Sequence, residues 1–328
     1  MADNGVPDDE LFELSLSRCF QNDVRNRING LARDDSGDEP GTKINAVKID
    51  HGLLIDPSRL CIGDVINEGS HSVVYEGLYE SKPVAIKIIQ PDKTATVSPE
   101  SQAKFQREVT MLSRVEHENI VKFIGASIEP TMMIITELLR GGTLQRYLWS
   151  IQPNCPDLKL TISFALDISR VMEYLHANGI IHRNLKPSNL LLVEDMGQIK
   201  LAGFGLAREE SVGEMSSEAG TYRWMAPELF NKEALEKGAQ KHYDHKVDVY
   251  SFSMVLLELL TNKTPFKGRS NVTVAYAAAK NQRPSLENLP KEFVPLLQSC
   301  WAEDPAQRPE FMQITDILIS ILDNYCSK

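Results

Sequence analysis

The residues able to do chemistry fall in two places. The first is Lys87, in the strand-like run Pro83-Val84-Ala85-Ile86-Lys87-Ile88-Ile89. A period of two puts Ala85 and Lys87 on one face, and an ammonium there is costly unless it is paired or holds an anion. Its natural partner is Glu108, which lies between Phe105 and Leu112 on an apolar helical stripe where a solvated carboxylate would be out of place. The second place is residues 180–205, which read Ile180-Ile181-His182-Arg183-Asn184-Leu185-Lys186-Pro187-Ser188-Asn189-Leu190-Leu191-Leu192, a turn, and Ile199-Lys200-Leu201-Ala202-Gly203-Phe204-Gly205. Cations and neutral amides crowd this stretch. Its carboxylates, Glu194 and Asp195, lie across the hairpin turn.

Regular elements must hold these residues. A strand-like run over Leu60 to Ile66 leads into Asn67-Glu68-Gly69-Ser70-His71-Ser72-Val73-Val74-Tyr75-Glu76-Gly77, a hairpin by its alternation. Ser98 suits a helix cap and Pro99 the first helical position. Phe105, Glu108, Val109, Leu112 and Val115 then form an inward face. A strand pair ends at Met132 to Leu139, and Arg140-Gly141-Gly142-Thr143-Leu144 breaks it. Helical periodicity takes over: Phe164, Ile168, Met172 and Leu175 share a stripe that ends at Gly179. Asp248-Val249-Tyr250-Ser251-Phe252 opens a helix apolar enough to be buried on all sides.

In this order the landmarks resemble the eukaryotic protein kinase family over roughly Leu60 to Leu322. The resemblance implies an α+β, bilobal fold with a small, mostly β N-terminal lobe over 60–137, a hinge at 138–142, and a larger, mostly helical lobe over 143–322. Residues 1–59 would form a partly flexible extension and 323–328 a short tail. It implies a nucleotide site built from Gly69, Val74, Ala85, the Lys87–Glu108 pair, Thr136 controlling access behind the base, and backbone groups of Glu137 and Leu139. Asp248 would hold the backbone of the catalytic loop, and Arg308, in Asp304-Pro305-Ala306-Gln307-Arg308-Pro309, would pair with Glu228, in Arg223-Trp224-Met225-Ala226-Pro227-Glu228. Lys186 and Gly220-Thr221 are similar to the serine/threonine type. The segment ending at Glu228 is shared with tyrosine kinases and the tyrosine-kinase-like group, in particular the Raf-like kinases of plants.

The chain departs from the family where the chemistry is done. Asn184 stands in place of the catalytic aspartate; its amide oxygen accepts a hydrogen bond but takes no proton at cellular pH, and such a carboxylate contributes about 10²–10⁴ in rate. Gly203 stands where an aspartate would hold Mg²⁺, which leaves Asn189 as a partial metal site, a poor one for a hard cation. Asn67 and Ser72 replace two of the three glycines of the phosphate loop, so that lid is stiffened or displaced. With two anionic side chains gone and Lys87, Lys186 and Arg183 kept, the pocket is more positive than in active relatives. ATP binding is expected to be weak or absent, and Mg²⁺ binding impaired.

These features predict a pseudokinase that acts as a signalling scaffold or allosteric regulator, with an active kinase or a kinase substrate as its protein partner. Ser211, Ser216, Ser217 and Thr221 are candidate phosphate acceptors, and Arg183 is placed to order a phosphorylated segment. Two alternatives stand beside this reading: an active serine/threonine kinase with a displaced metal ligand such as Glu194, and a laboratory-inactivated form of an active kinase. A generic binding or structural α+β protein would make the ordered landmarks coincidence.

Bulk properties agree with a globular chain. Its 328 residues are 42% hydrophobic and 24% charged. A formal charge of −10 argues against a broad nucleic-acid footprint. The five cysteines are odd in number and widely spaced, which suits a reducing compartment. No apolar run reaches the length of a membrane span, and the start of the chain has neither a basic leader nor a myristoylation pattern. The expected location is the cytoplasm.

Overall fold

The computed structural model describes residues 48–69, 71–90, 97–209, 222–229 and 243–327. These fall into two compact units. One comprises residues up to Ser113 together with Lys122–Leu138; the other comprises Arg114–Val121 and everything from Leu139 onward. The fold is α+β, with the strands concentrated in the first unit and the helices in the second.

The first unit is an antiparallel five-stranded sheet in the order β1-β2-β3-β5-β4. Its strands are β1 (Leu60–Glu68), β2 (Ser72–Tyr79), β3 (Lys82–Ile89), β4 (Phe123–Ser127) and β5 (Met133–Glu137). Strict alternation sorts β3: Val84 and Ile86 join Ile62, Met133 and Ile135 in one buried apolar cluster, while Ala85 and Lys87 take the other face. Helix α1 (Pro99–Leu112) supports the sheet. Ser98 caps it by accepting from the Ser101 N–H, Pro99 opens it, and Phe105, Glu108, Val109 and Leu112 are buried as its stripe predicts.

Ile44, Val47 and Ile49 read as an extended piece packed on the domain edge; the first two lie outside the described residues. Beside Ile49 the Lys48 carbonyl accepts from Gln106 Nε2 of α1 at 2.9 Å, and further on Leu54 forms a parallel bridge with Ala126 while the Ile55 N–H donates to the Ala126 carbonyl at 2.9 Å.

The second unit is built on helices α2 (Leu144–Ser150), α3 (Leu158–Ala177), α4 (Lys246–Thr261), α5 (Asn271–Ala279), α6 (Val294–Cys300) and α7 (Phe311–Cys326). Almost all of α4 is buried, its charged residues Lys246, Asp248 and Glu258 included. Against α3 lie two small pairs of strands, β6 (Ile180–Ile181) with β9 (Arg208–Glu209), and β7 (Leu190–Leu192) with β8 (Ile199–Leu201). The loop 182–189 runs between β6 and β7. Among the described residues no helix is long and apolar enough to cross a membrane.

Candidate functional site

In the first unit, the register of β3 sets Lys87 opposite Val74 on β2 and Ile134 on β5. Glu108 reaches it from α1, and Lys87 Nζ lies 2.7 Å from Glu108 Oε2. Glu108 is nearly fully buried while Lys87 keeps about a third of its side chain exposed. The β1–β2 ladder continues to Glu68↔Val73, and the Gly69 N–H donates to the Ser72 carbonyl at 2.8 Å. That N–H is therefore spent inside the turn. Ala85 pairs with Thr136, whose hydroxyl donates to the Glu137 carbonyl at 3.3 Å. The Glu137 carboxylate accepts the Lys122 N–H at 2.7 Å. Val74 and Thr136 are half-buried, as is Leu139 in the second unit.

In the second unit the loop 182–189 is suspended from one carboxylate. Asp248, at the start of α4, is wholly buried. Its Oδ2 accepts from the His182 N–H at 2.8 Å and lies 3.0 Å from His176 Nε2; its Oδ1 accepts from the Arg183 N–H at 2.8 Å. Burial pushes this carboxyl up, but the hydrogen bond and charge of His176, then His182 and the Arg183 N–H, hold it below its ordinary value. Arg183 adopts a left-handed φ of 66°, and its guanidinium donates to the Leu206 carbonyl at 3.3 Å and lies over the Tyr243 ring. His182 Nε2 is 3.1 Å from the Ala202 carbonyl, and its ring packs edge-on against Phe204.

Past this anchor the loop carries no carboxylate. Asn184 is 7% exposed, and its Oδ1 is buried without a hydrogen-bond partner among the described residues. The Asn184 carbonyl accepts from Asn189 Nδ2 at 2.7 Å, which leaves Asn189 one amide oxygen to offer. Lys186, half-buried and extended, precedes the short turn that contains Asn189. Gly203 lies beyond β8 at φ 82°, ψ 44°. Glu194 is exposed beyond the end of β7. Because Leu190 pairs with Leu201 and Leu192 with Ile199, Glu194 and Gly203 sit at opposite ends of this hairpin. Among the described residues no group of three or more His, Cys, Asp or Glu side chains is arranged to hold a metal ion.

The Arg308 side chain is wholly buried and donates to Glu228 from Nη1 and Nη2, at 2.5 and 3.0 Å. Ser211, Ser216, Ser217 and Thr221 lie outside the described residues. Sequence reasoning missed three supports of this region. His176 steadies Asp248; Asn119 and Asp167 bind the Ile199 backbone from two sides, at 2.8 Å each; and Trp224 Nε1 donates to buried Glu258 at 3.1 Å. Beside that contact Arg223 donates to the carbonyls of Pro265, Phe266 and Arg269, which fastens this segment to the loop after α4. Polar residues on otherwise apolar helices, Asp167, His176 and Glu258, were the available signal.

A family model described as protein tyrosine and serine/threonine kinase matches residues 60–318. The serine/threonine/tyrosine-protein kinase HT1 of Arabidopsis thaliana is 41% identical over 268 residues, covering 80% of this chain and 66% of that protein. The serine/threonine-protein kinase STY17 of the same plant is 38% identical over 275 residues, 82% of this chain and 45% of its own length. Its serine/threonine-protein kinase VIK is 36% identical over 277 residues, 79% and 60%. The chain thus spans from under half to about two thirds of the length of these curated relatives.

Proposed function

The chain belongs to the protein tyrosine and serine/threonine kinase family, and we propose that within it this protein is a pseudokinase of the Raf-like kind, a scaffold or allosteric regulator that works through protein contacts. One observation carries the reading. The loop 182–189 is anchored at Asp248, yet its Asn184 and Asn189, and Gly203 beyond β8, are none of them ionisable. Asn184 has no proton affinity to serve as a base. A donor set of one neutral amide oxygen without a carboxylate does not fit a hard divalent cation. Weak nucleotide binding without metal, or none, follows from the same chemistry, with Lys87 among the cations kept for phosphate.

A fold kept without turnover still offers surfaces, and its partner in this reading is an active kinase or a kinase substrate whose conformational equilibrium it shifts. The similarity to relatives named as kinases favours a second reading, an active enzyme with an atypical site. The two part in one experiment. Phosphotransfer to a general protein substrate is measured with Mg²⁺ and with Mn²⁺, beside calorimetric titration of ATP with and without metal. Little turnover and metal-independent binding, or no binding, are expected; robust turnover overturns the proposal.

A further inference from the structure

The ligand position vacated at residue 203 is not open space. A Cβ built on Gly203 would stand 2.6 Å from Asn189 Cγ, 2.7 Å from Nδ2 and 2.8 Å from Oδ1. Carbon atoms in contact sit at about 3.5–4.0 Å, so a side chain at 203 and the present Asn189 side chain exclude each other. Asn189 does not give way freely. Its Nδ2 is tied to the Asn184 carbonyl at 2.7 Å. Its backbone is held on both sides, the N–H donating to the Lys186 carbonyl at 3.0 Å and the carbonyl accepting the Ala202 N–H at 2.8 Å.

We propose that Asn189 has become the steric occupant of the position a ligand side chain at 203 would need, so that packing as well as lost charge closes the metal site. Replacing Gly203 by aspartate then forces Asn189 off its hydrogen bond and does not by itself recreate a cation site. The consequence for metal rests on the pseudokinase reading; the steric exclusion does not. The left-handed φ of 82° at Gly203 adds a separable cost. Alanine pays it fully in that region, whereas aspartate tolerates it better. The overlap at Cβ is the same for both.

The test is a double-mutant cycle on the full chain, with Gly203→Ala and Gly203→Asp each made with Asn189 intact and with Asn189→Ala. Asn189→Ser serves as a second way to clear the volume if Asn189→Ala folds poorly. With Asn189 intact, Gly203→Ala should lower the melting temperature by about 4–8 °C and Gly203→Asp by somewhat less. Once Asn189 is cleared, both losses should shrink by at least half, and Gly203→Asp with Asn189 intact should gain no melting-temperature rise from Mg²⁺ or Mn²⁺. Equal losses in both backgrounds, no loss at all, or a metal-dependent rise in Gly203→Asp alone would overturn the proposal. An additive cycle leaves the pseudokinase reading standing. Turnover by the unaltered protein sinks that reading and leaves the cycle to decide the packing.

Discussion

Two neighbouring points of one loop, its anchor at Asp248 and its residue Asn184, differ in charge. Asp248, beneath His182 and Arg183, is a wholly buried carboxylate with two backbone N–H groups and His176 facing it. Asn184, one residue on from Arg183, is also buried, but it is neutral and its Oδ1 has no hydrogen-bond partner among the described residues. The difference separates a charge that holds the chain from a buried position that the fold keeps without one. Asp248 lies at the crossing of several hydrogen bonds, so its loss would leave three donors stranded. A carboxylate at 184 or 203 would have had no such structural debt, and the fold persists without either.

The contrast breaks first at the anchor. Asp248→Ala should cost about 3–5 kcal/mol in urea unfolding, the range for removing one partner from a buried ionic cluster. The same carboxyl gives the unaltered protein an acid limit. Its value in the folded state is held below the ordinary one, so its contribution is complete above the ordinary carboxylate range and is lost as pH falls through the lowered value. A loss under about 1 kcal/mol would show that the loop is held by other means. Next in size is Asn184→Asp, which places charge on an oxygen that no donor meets among the described residues. It should cost about 1–3 kcal/mol at pH 7 and little at pH values low enough to protonate the new acid. A stabilising effect at pH 7 would reveal a cation facing that oxygen and erase the difference between the two points.

How much of this was legible follows from locality. The Lys87–Glu108 pair could be read because each member violates a period, two in β3 and the apolar stripe in α1. The cap of α1 was legible in Ser98-Pro99 for the same reason. The contacts that went unseen join segments far apart in the chain: Asn119 to Ile199 spans 80 residues and Asp167 to Ile199 spans 32. No local period encodes them. The bridge from Leu54 and Ile55 to Ala126 was not legible, because apolar residues at every second or third position mark an extended piece without saying which of them meets a given strand. At Gly203 the sequence shows only a glycine; that the Asn189 amide stands within 2.8 Å of where a Cβ would be is a matter of tertiary packing.

A third substitution sharpens the comparison with a buried acid of the opposite kind. Glu258 on α4 has the Trp224 indole N–H on one oxygen, and burial drives its carboxyl up to about 7, against the weaker pull of Trp224, Thr264 and Arg223. The folded value lies above the unfolded one. The stability this group contributes is therefore complete below its ordinary range and is lost as pH rises toward about 7. Glu258→Gln keeps an oxygen for Trp224 and cannot ionise. It should raise stability at pH 8 by about 1–3 kcal/mol relative to the unaltered chain and change it little at pH 5. An equal effect at both pH values would mean that the acid stays ionised in the fold, which would make it a second Asp248.

The smallest effect belongs at the surface. Arg114 and Glu209 meet at 2.5 Å, as close as any partners in the anchor, but both side chains are more than half exposed. If distance alone made an ion pair count, this one would rival the contacts of Asp248. Water and salt argue otherwise: an exposed pair gains little Coulomb energy, and ordering two long side chains offsets most of it. A double-mutant cycle with Arg114→Ala and Glu209→Ala should give a coupling below about 1 kcal/mol at low salt. High salt should take most of that away, whereas the loss on Asp248→Ala should barely respond. A coupling at Arg114–Glu209 that survives high salt would mean that burial is not what distinguishes the charges this loop has kept.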